Sequence, residues 1–419
     1  MDNSAGGRRL TIDELMNGGK AVVCPVCGSN EDDVIESGRA GCSHCYKVFE
    51  TLLAPRIEAA QQTSLPEPPA EFAEILRSDY PHYDDIAVST RVRLARNLSV
   101  FPFPEVMTQK EAAEVFENIT EFMGGIAGGS AFKIININES KSEKPFEAAS
   151  LLERHLISKE LLGKRTDSCG AAISADEHVS VMINEEDHLR IQSIREGLAL
   201  RDCFEKVEKL EMMLSERFKF AYSDKLGWLT RCPTNLGTGI RASVMLHLPA
   251  HTDSGNIHRL STELIRTGFT IRGFYGEGTK PIGRLYQISN QVTHGLSARQ
   301  IVEHLNATVL RIIQREREIQ RALDSNHPGF IEDHVWRAYG LLSAARNMGG
   351  NEAMQLLSIA RVGVSIGELQ IPYHSFNELL HRIQPNTICC GVGENLNEQE
   401  LNRFRAKIIR DSLQNTKIQ

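Results

Sequence analysis

The 419-residue chain has no run of about eighteen consecutive apolar residues, so hydropathy gives no candidate for a membrane-spanning helix. Its first stretch, "MDNSAGGRRLTIDELMNGGK", lacks the apolar core of a secretory signal, and the expected location is the cytoplasm. Nor is there a surplus of basic residues. A net charge of −7 and a pI near 6.1 argue against broad nucleic-acid binding, while a local basic patch stays open. No P-loop occurs: "GEGTKPIG" is not followed by Gly-Lys-Ser/Thr, and Pro281 stands where the Gly-rich loop of protein kinases has its third glycine. Internal repeats and low-complexity tracts are absent too.

What is present divides the chain into regions. Its length points to two or three domains. Within residues 1–56, Cys24, Cys27, Cys42 and Cys45 form two C-x2-C knuckles at the spacing that closes a tetrahedral zinc site. Four thiolates leave no open coordination position, so the expected Zn²⁺ is structural. A redox role for the pairs is the alternative. Residues 57–84, including "AAQQTSLPEPPAEFAE", read as an extended linker and lead-in. Residues 85–318 mix strands ("FKIININ", "HVSVMI", "ASVMLHL") with a long helix after Ser297, a candidate N-cap. Irregular alternation of strands and helices excludes a doubly wound parallel sheet, and an α+β fold is expected. Residues 319–419 show helical apolar spacing in four segments and predict a small helical dimerisation or regulatory domain.

The central region sets arginines beside turns and strands: Arg91 and Arg93 in "STRVR", Arg190 in "NEEDHLR", Arg241 in "CPTNLGTGIRAS" and Arg272 in "IRGFYGEG". Each alone is a surface charge. Together they could converge on one polyanion, because the planar guanidinium makes paired bonds to phosphate oxygens. The carboxylates of "NEED" and of "YGEG" are either solvated loop charges or a pair that grips a cation. Cys169, Cys203, Cys389 and Cys390 read as small buried hydrophobes.

With these motifs in this order, the chain from about residue 70 onward resembles the phosphagen kinase superfamily, and within it the bacterial protein-arginine kinases (McsB family). The segment "CPVCG…SGRAGCSHCYKVFETLLAP" is similar to a zinc module of the activator of those kinases (McsA family). The resemblance implies a mostly antiparallel sheet flanked by helices, and a kinase that transfers the ATP γ-phosphoryl group to protein arginine. It implies Glu186, Glu277 and Cys232 as catalytic groups. The implied nucleotide set is Ser89, Thr90, Arg91, Val92 and Arg93; His155; Arg190; Arg241, Ala242, Ser243, Val244 and Met245; and Arg272, Gly273, Phe274, Tyr275 and Gly276. Mg²⁺ would accompany ATP. Met245, where kinases of free arginine share a histidine, favours the protein-kinase branch. The implied partners are arginine-bearing proteins, a Clp-type protease of the stress response and a second copy of the chain.

A lone thiol, two glycines and an arginine in "CPTNLGTGIR" fit this chemistry: a thiolate at Cys232 could hydrogen-bond the acceptor guanidinium while the glycines let the chain turn towards Arg241. One departure stands out. The R-D-x-x-R-A motif that forms a phosphoarginine pocket in the family is here Leu401-Asn402-Arg403-Phe404-Arg405-Ala406, so that pocket is not expected, and regulation could lie with the fused zinc module. Two rivals are a kinase of free arginine or another small guanidino compound, and a zinc-ribbon scaffold carrying an inert kinase-like domain.

Overall fold

The computed structural model describes residues 22–61, 83–126, 132–273, 282–326 and 329–413. The first of these holds the four cysteines. Their Sγ atoms lie within 4.8 Å of one another, with Cys24–Cys42 at 3.7 Å, Cys27–Cys45 at 3.4 Å and Cys42–Cys45 at 3.8 Å. Zinc–thiolate bonds of about 2.3 Å in a tetrahedron place sulfurs about 3.8 Å apart, so the cluster fits zinc and is too open for a disulfide. Around it fold α1 (Glu31–Ser37), α2 (Cys45–Val48) and α3 (Glu50–Gln61). Asn30 caps α1 through a reciprocal pair with Asp33. Helix α3 runs past residue 56 into the segment read as extended linker; Ile57 anchors it in the core, and the rest of that linker up to 82 lies outside the described residues.

The zinc module does not have a core of its own. Val34, Tyr46, Phe49 and Leu53 share one apolar cluster with Phe103, Ala221, Leu229 and Leu236 of the central region. Four hydrogen bonds fasten the junction: Phe103 N–H to Gly41 O (2.8 Å), Ala40 N–H to Arg231 O (3.1 Å), the Tyr46 hydroxyl to Thr230 O (2.7 Å) and Lys225 Nζ to Glu50 Oε1 (2.7 Å).

The central region is an eight-stranded sheet in the order β2-β3-β4-β5-β1-β8-β10-β9, every pair antiparallel. The strands are β1 (Ala87–Arg96), β2 (Phe132–Asn136), β3 (Gly170–Ser174), β4 (Val179–Ile183), β5 (Leu189–Glu196), β8 (Ile240–His247), β9 (Phe269–Gly273) and β10 (Leu285–Asn290); β6 (Tyr222–Ser223) and β7 (Gly227–Trp228) form a separate hairpin. Strand β2 ends two residues before the sequence pattern does, because the Asn136 side chain turns back to cap the next helix at Asn138 N and Glu139 N.

Flanking helices are α4 (Gln109–Gly124), α5 (Ile137–Glu143), α6 (Pro145–Glu153), α7 (Lys159–Gly163), α8 (Leu200–Arg217), α9 (Pro249–Asp253), α10 (Ile257–Arg266) and α11 (Ala298–Asn326). Ser297 caps α11 as expected, accepting from Gln300 N (3.2 Å). That helix runs unbroken through residue 318, where the sequence reading placed a boundary. The apolar faces of α4, α8 and α11 bury one side of the sheet in the main core.

Next come α12 (Phe330–Ala344), α13 (Gly350–Ser365), α14 (Tyr373–Arg382), α15 (Pro385–Val392) and α16 (Glu398–Leu413), of which all but α15 build a second core. Glu153 of α6 satisfies the N-terminus of α15, accepting from Asn386 N (3.0 Å) and Thr387 N (2.7 Å). Among the cysteines, Cys169, Cys203 and Cys389 are buried, but Cys390 is exposed, because adjacent helical positions face different ways.

One buried carboxylate ties two loops together. Asp187, in the turn between β4 and β5, accepts from Asn97 Nδ2 (2.6 Å) and Arg231 N (2.8 Å). Burial, then Glu186 beside it, pushes its pKa up to about 6, against the opposing pull of those donors. Two tests follow from this architecture. Cys42→Ser should eliminate stoichiometric zinc and melt residues 22–61, since structural zinc contributes about 10–16 kcal/mol to such modules; metal analysis and far-UV circular dichroism check both. Ionisation of Asp187 opposes folding, so its contribution is complete below pH 3.8 and is lost as pH rises to about 6. Urea midpoints should therefore fall over that window relative to Asp187→Asn, which keeps an acceptor and cannot ionise.

Candidate active site

Side chains alternate across a strand, and the register decides which residues meet. Arg93 lies opposite both Arg241 and Gln192, Ala95 opposite Arg190, and Arg91 opposite Ser243. Further along, Ser89 pairs with Met245, Met245 with Gln287, and Gln287 with Arg272. Ser89, Arg91, Arg93, Arg190, Arg241, Ser243, Met245 and Arg272 therefore share one face. Thr90, Val92, Ala242 and Val244 point to the other and are fully buried there, so their side chains serve the core. Gly273 also alternates away from the arginine face. Met245 is buried against the C-terminal helices, in one cluster with Met354 and Leu357.

The arginines crowd one another. Burial and then the neighbouring Arg241 and Arg190 push Arg91 down to about 10; burial and then Arg91, Arg190 and Arg241 push Arg93 well below its ordinary value. Buried Nε atoms of both have no hydrogen-bond partner among the described residues. Arg190 differs: burial lowers it, but Glu185, Asp187 and Glu186 outweigh that and raise it. Such a cluster is matched to a bound anion carrying several charges.

His155 sits at the margin of this face with φ at 61°, its carbonyl accepting from Gln192 Nε2 (2.7 Å) and its ring edge-on to His381 (5.7 Å). Burial, then Arg91, drives its pKa well down and keeps it neutral.

At one end of the arginine face lies the turn Glu185-Glu186-Asp187. Glu185 is sealed, accepting from Arg190 Nη1 (2.7 Å) and the Ser158 hydroxyl (2.6 Å). Glu186 keeps its side chain 16% exposed; one oxygen is 3.3 Å from Arg190 Nη2 and the other 3.1 Å from Nη1 of Arg39 in the zinc module. Residues Phe274, Tyr275, Gly276 and Glu277 lie outside the described residues.

Cys232 leads a 3₁₀ turn, Pro233–Asn235, with its thiol 3.1 Å from the Thr234 hydroxyl. Gly237 (φ 90°) and Gly239 (φ 62°) are required by close backbone approach: a Cβ on Gly237 would come within 2.3 Å of Thr293 O, and one on Gly239 within 2.8 Å of Ala95 O. Asp187 joins this loop to the carboxylate turn through Arg231 N. Tyr46 and Arg39 escaped sequence reasoning. Burial and then Asp187 raise the Tyr46 phenol, whose hydroxyl bond to Thr230 O sets a zinc-module side chain two residues from Cys232 in the chain.

In the C-terminal region, Arg405 is buried and committed to the fold, donating to Met348 O (3.0 Å), Ile383 O (3.0 Å) and Asn402 Oδ1.

Comparison with known proteins follows this geometry. Residues 114–319 match the ATP:guanido phosphotransferase C-terminal catalytic domain, residues 328–419 the protein-arginine kinase McsB C-terminal domain, and residues 22–65 the McsA central zinc-finger domain. A lombricine kinase shares the fold at 24% identity, with a TM-score of 0.60 over 74% of this chain and 90% of that one. The duplicated taurocyamine kinase of Schistosoma mansoni does so at 24% identity, with a TM-score of 0.57 over 72% and 44%. The chain is 40% identical over 331 residues to a protein-arginine kinase of Desulforamulus reducens, covering 79% of this chain and 92% of the relative. It is also 40% identical over 334 residues to one of Caldanaerobacter subterraneus, covering 79% and 98%. An arginine-lined antiparallel sheet, a matching helical C-terminal domain and this extent of identity place the chain in the protein-arginine kinase family.

Proposed function

We propose that the chain transfers the γ-phosphoryl group of ATP to arginine side chains of proteins. The observation that carries this reading is the row of buried, crowded arginines that ends, through Arg190, at the partly exposed carboxylate of Glu186. The cradle suits a triphosphate and the carboxylate suits a guanidinium.

A guanidinium is a poor nucleophile, with a pKa above about 12 and delocalised lone pairs. Glu186, with Glu277 by family likeness, would fix it in line with the γ-phosphorus and take its proton as the P–N bond forms. The Cys232 sulfur would hydrogen-bond the same group as an electrostatic aid. Phosphoryl transfer passes through a loose state, so positioning and the surrounding positive charge of Arg91, Arg93, Arg190, Arg241 and Arg272 supply most of the catalysis. Among the described residues the only group of three or more His, Cys, Asp or Glu side chains close enough to hold a metal is the four-cysteine site. Mg²⁺ would thus arrive with the nucleotide, bound to phosphate oxygens and water, and would neutralise phosphate charge.

The match of residues 328–419 to the protein-arginine kinase C-terminal domain supports a protein acceptor over a free guanidino compound. By family likeness, phosphoarginine would mark proteins for a Clp-type protease in a cytoplasmic stress response. None of the described helices is long and apolar enough to cross a membrane. A second copy would dock through the C-terminal helices, where Phe330 and Leu341 of α12 stand exposed.

Purified protein with Mg-ATP and casein should yield phosphoarginine by mass spectrometry under conditions that preserve the P–N bond, and Glu186→Ala should yield none. Phosphorylation of free arginine alone would give the small-molecule reading, and ATP binding without transfer to either the scaffold. Cys232→Ala should lower kcat roughly 100- to 1000-fold, as loss of one preorganised electrostatic group does, and leave measurable turnover; a phosphocysteine intermediate would contradict the role given to the thiol. Removing residues 1–61 should also lower activity, because it strips the Tyr46 contact from Thr230 and uncovers Phe103, Leu229 and Leu236.

A further inference from the structure

Arg39 of the zinc module meets the candidate catalytic carboxylate Glu186. It lies between Gly38, whose left-handed backbone (φ 63°) ends α1, and the zinc ligand Cys42. The neighbouring backbone is fixed: Ala40 N–H donates to the carbonyl of Arg231, the residue before Cys232, and Gly41 O accepts from Phe103 N. From that platform the Arg39 side chain reaches the candidate catalytic carboxylate, Nη1 lying 3.1 Å from Glu186 Oε1. Glu186 Oε1 is buried and lacks an aligned hydrogen bond, so the pair is electrostatic. The opposite oxygen of Glu186 is held by Arg190, which belongs to the phosphate cradle. One carboxylate therefore separates the Arg39 guanidinium from the arginines that would hold ATP.

A structural ion pair is the simpler account of most such contacts, and exposed pairs contribute about 0–1 kcal/mol. Here, however, the Arg39 side chain is 45% exposed while its partner is 16% exposed and is the one carboxylate of "NEED" not already sealed or turned inward. A peptide-borne guanidinium on that oxygen has the chemistry of the substrate.

We propose that Arg39 is the intramolecular phosphoacceptor of this kinase. The inference rests on the phosphotransfer reading above. The Nη1 lone pair forms a P–N bond to the γ-phosphorus as the bond to the β,γ-bridging oxygen breaks, ADP leaves with that electron pair, and the Nη1 proton passes to Glu186. The product turns a cation into a phosphoguanidine of net charge −1 beside Glu186. Once Glu186 has passed the proton on to water, like charges separate the pair and vacate the carboxylate for an arginine of another protein. The zinc module thereby gates its own kinase: residues fastened to the Cys232 loop hold Arg39 in place until the first turnover.

The full-length chain, loaded with zinc, is incubated with Mg-ATP over about a hundredfold range of enzyme concentration, with casein as a parallel acceptor. Phosphate on Arg39 is read by mass spectrometry. Expected are stoichiometric phosphoarginine at position 39, a rate constant independent of enzyme concentration, and a lag in casein phosphorylation that disappears in Arg39→Ala. Casein phosphorylated while Arg39 stays unmodified overturns the inference and leaves the kinase reading intact, and a rate proportional to enzyme concentration overturns the intramolecular step. If neither casein nor Arg39 is modified, the phosphotransfer reading falls and this inference with it.

Discussion

Mutual repulsion among arginines on one sheet face is the constraint to which the rest of the fold answers. Arg93 stands opposite Arg241 and Arg91 opposite Ser243; burial first, and then the charges of Arg241 and Arg190, lower Arg91, and burial followed by Arg91, Arg190 and Arg241 lowers Arg93. Left alone, such a face would open. Two apolar layers prevent it: the interleaved positions Val92, Leu94, Ala242 and Val244 bury the back of the same strands against α8 and α11, at roughly 1.5–3 kcal/mol for each large side chain. The alternation that exposes the charges also supplies the burial that holds them, so function and stability come from the same strands in alternate residues.

The zinc module solves a different problem. About forty described residues bury too little apolar surface to fold alone, and the four-cysteine cluster supplies part of the missing free energy. The remainder is shared, since Phe49 and Leu53 pack with Leu229 and Leu236 on either side of the Cys232 turn. A module stabilised by its contact with the catalytic loop cannot shift without disturbing that loop, which gives its coupling to activity a physical basis. In contrast, Arg405 bonds to backbone carbonyls and Asn402, and is not presented as a fork for a phosphoguanidine.

Motifs with fixed spacing were legible in the sequence. The cysteine knuckles, the strand that follows Arg241, the Ser297 cap and four of the five C-terminal helices could be read because each rests on local pattern. Helix α15 was not, since "PNTICCGV" has no helical apolar period and depends on Glu153, distant in sequence, to cap it. Nor could the pattern tell that Thr90, Val92, Ala242 and Val244 face away from the arginines; the motif residues run consecutively, while the strand divides them by parity. Arg39 and Tyr46 lay beyond reach for a third reason. Their partners are in the central region, and only the docking of one region on another brings them together.

Three consecutive carboxylates show how environment rather than residue type assigns a role. Glu185 is wholly buried, with Arg190 and Ser158 donating to one oxygen and the Glu186 N–H to the other, so it orients a cradle arginine and has nothing left to offer a substrate. Asp187 is equally buried but faces neutral N–H donors, and burial pushes it up to about 6; its work is to bind the Cys232 loop to the carboxylate turn. Glu186, between them, is the partly exposed one. It shares Arg190 with Glu185, keeps one oxygen towards the module, and alone meets a guanidinium that is not part of the sheet. A carboxylate that must receive a proton and then release it has to be reachable from outside and held by a cation from behind. Of the three, only Glu186 meets both conditions, and the neighbours that deny them to Glu185 and Asp187 are the ones that hold Glu186 in position.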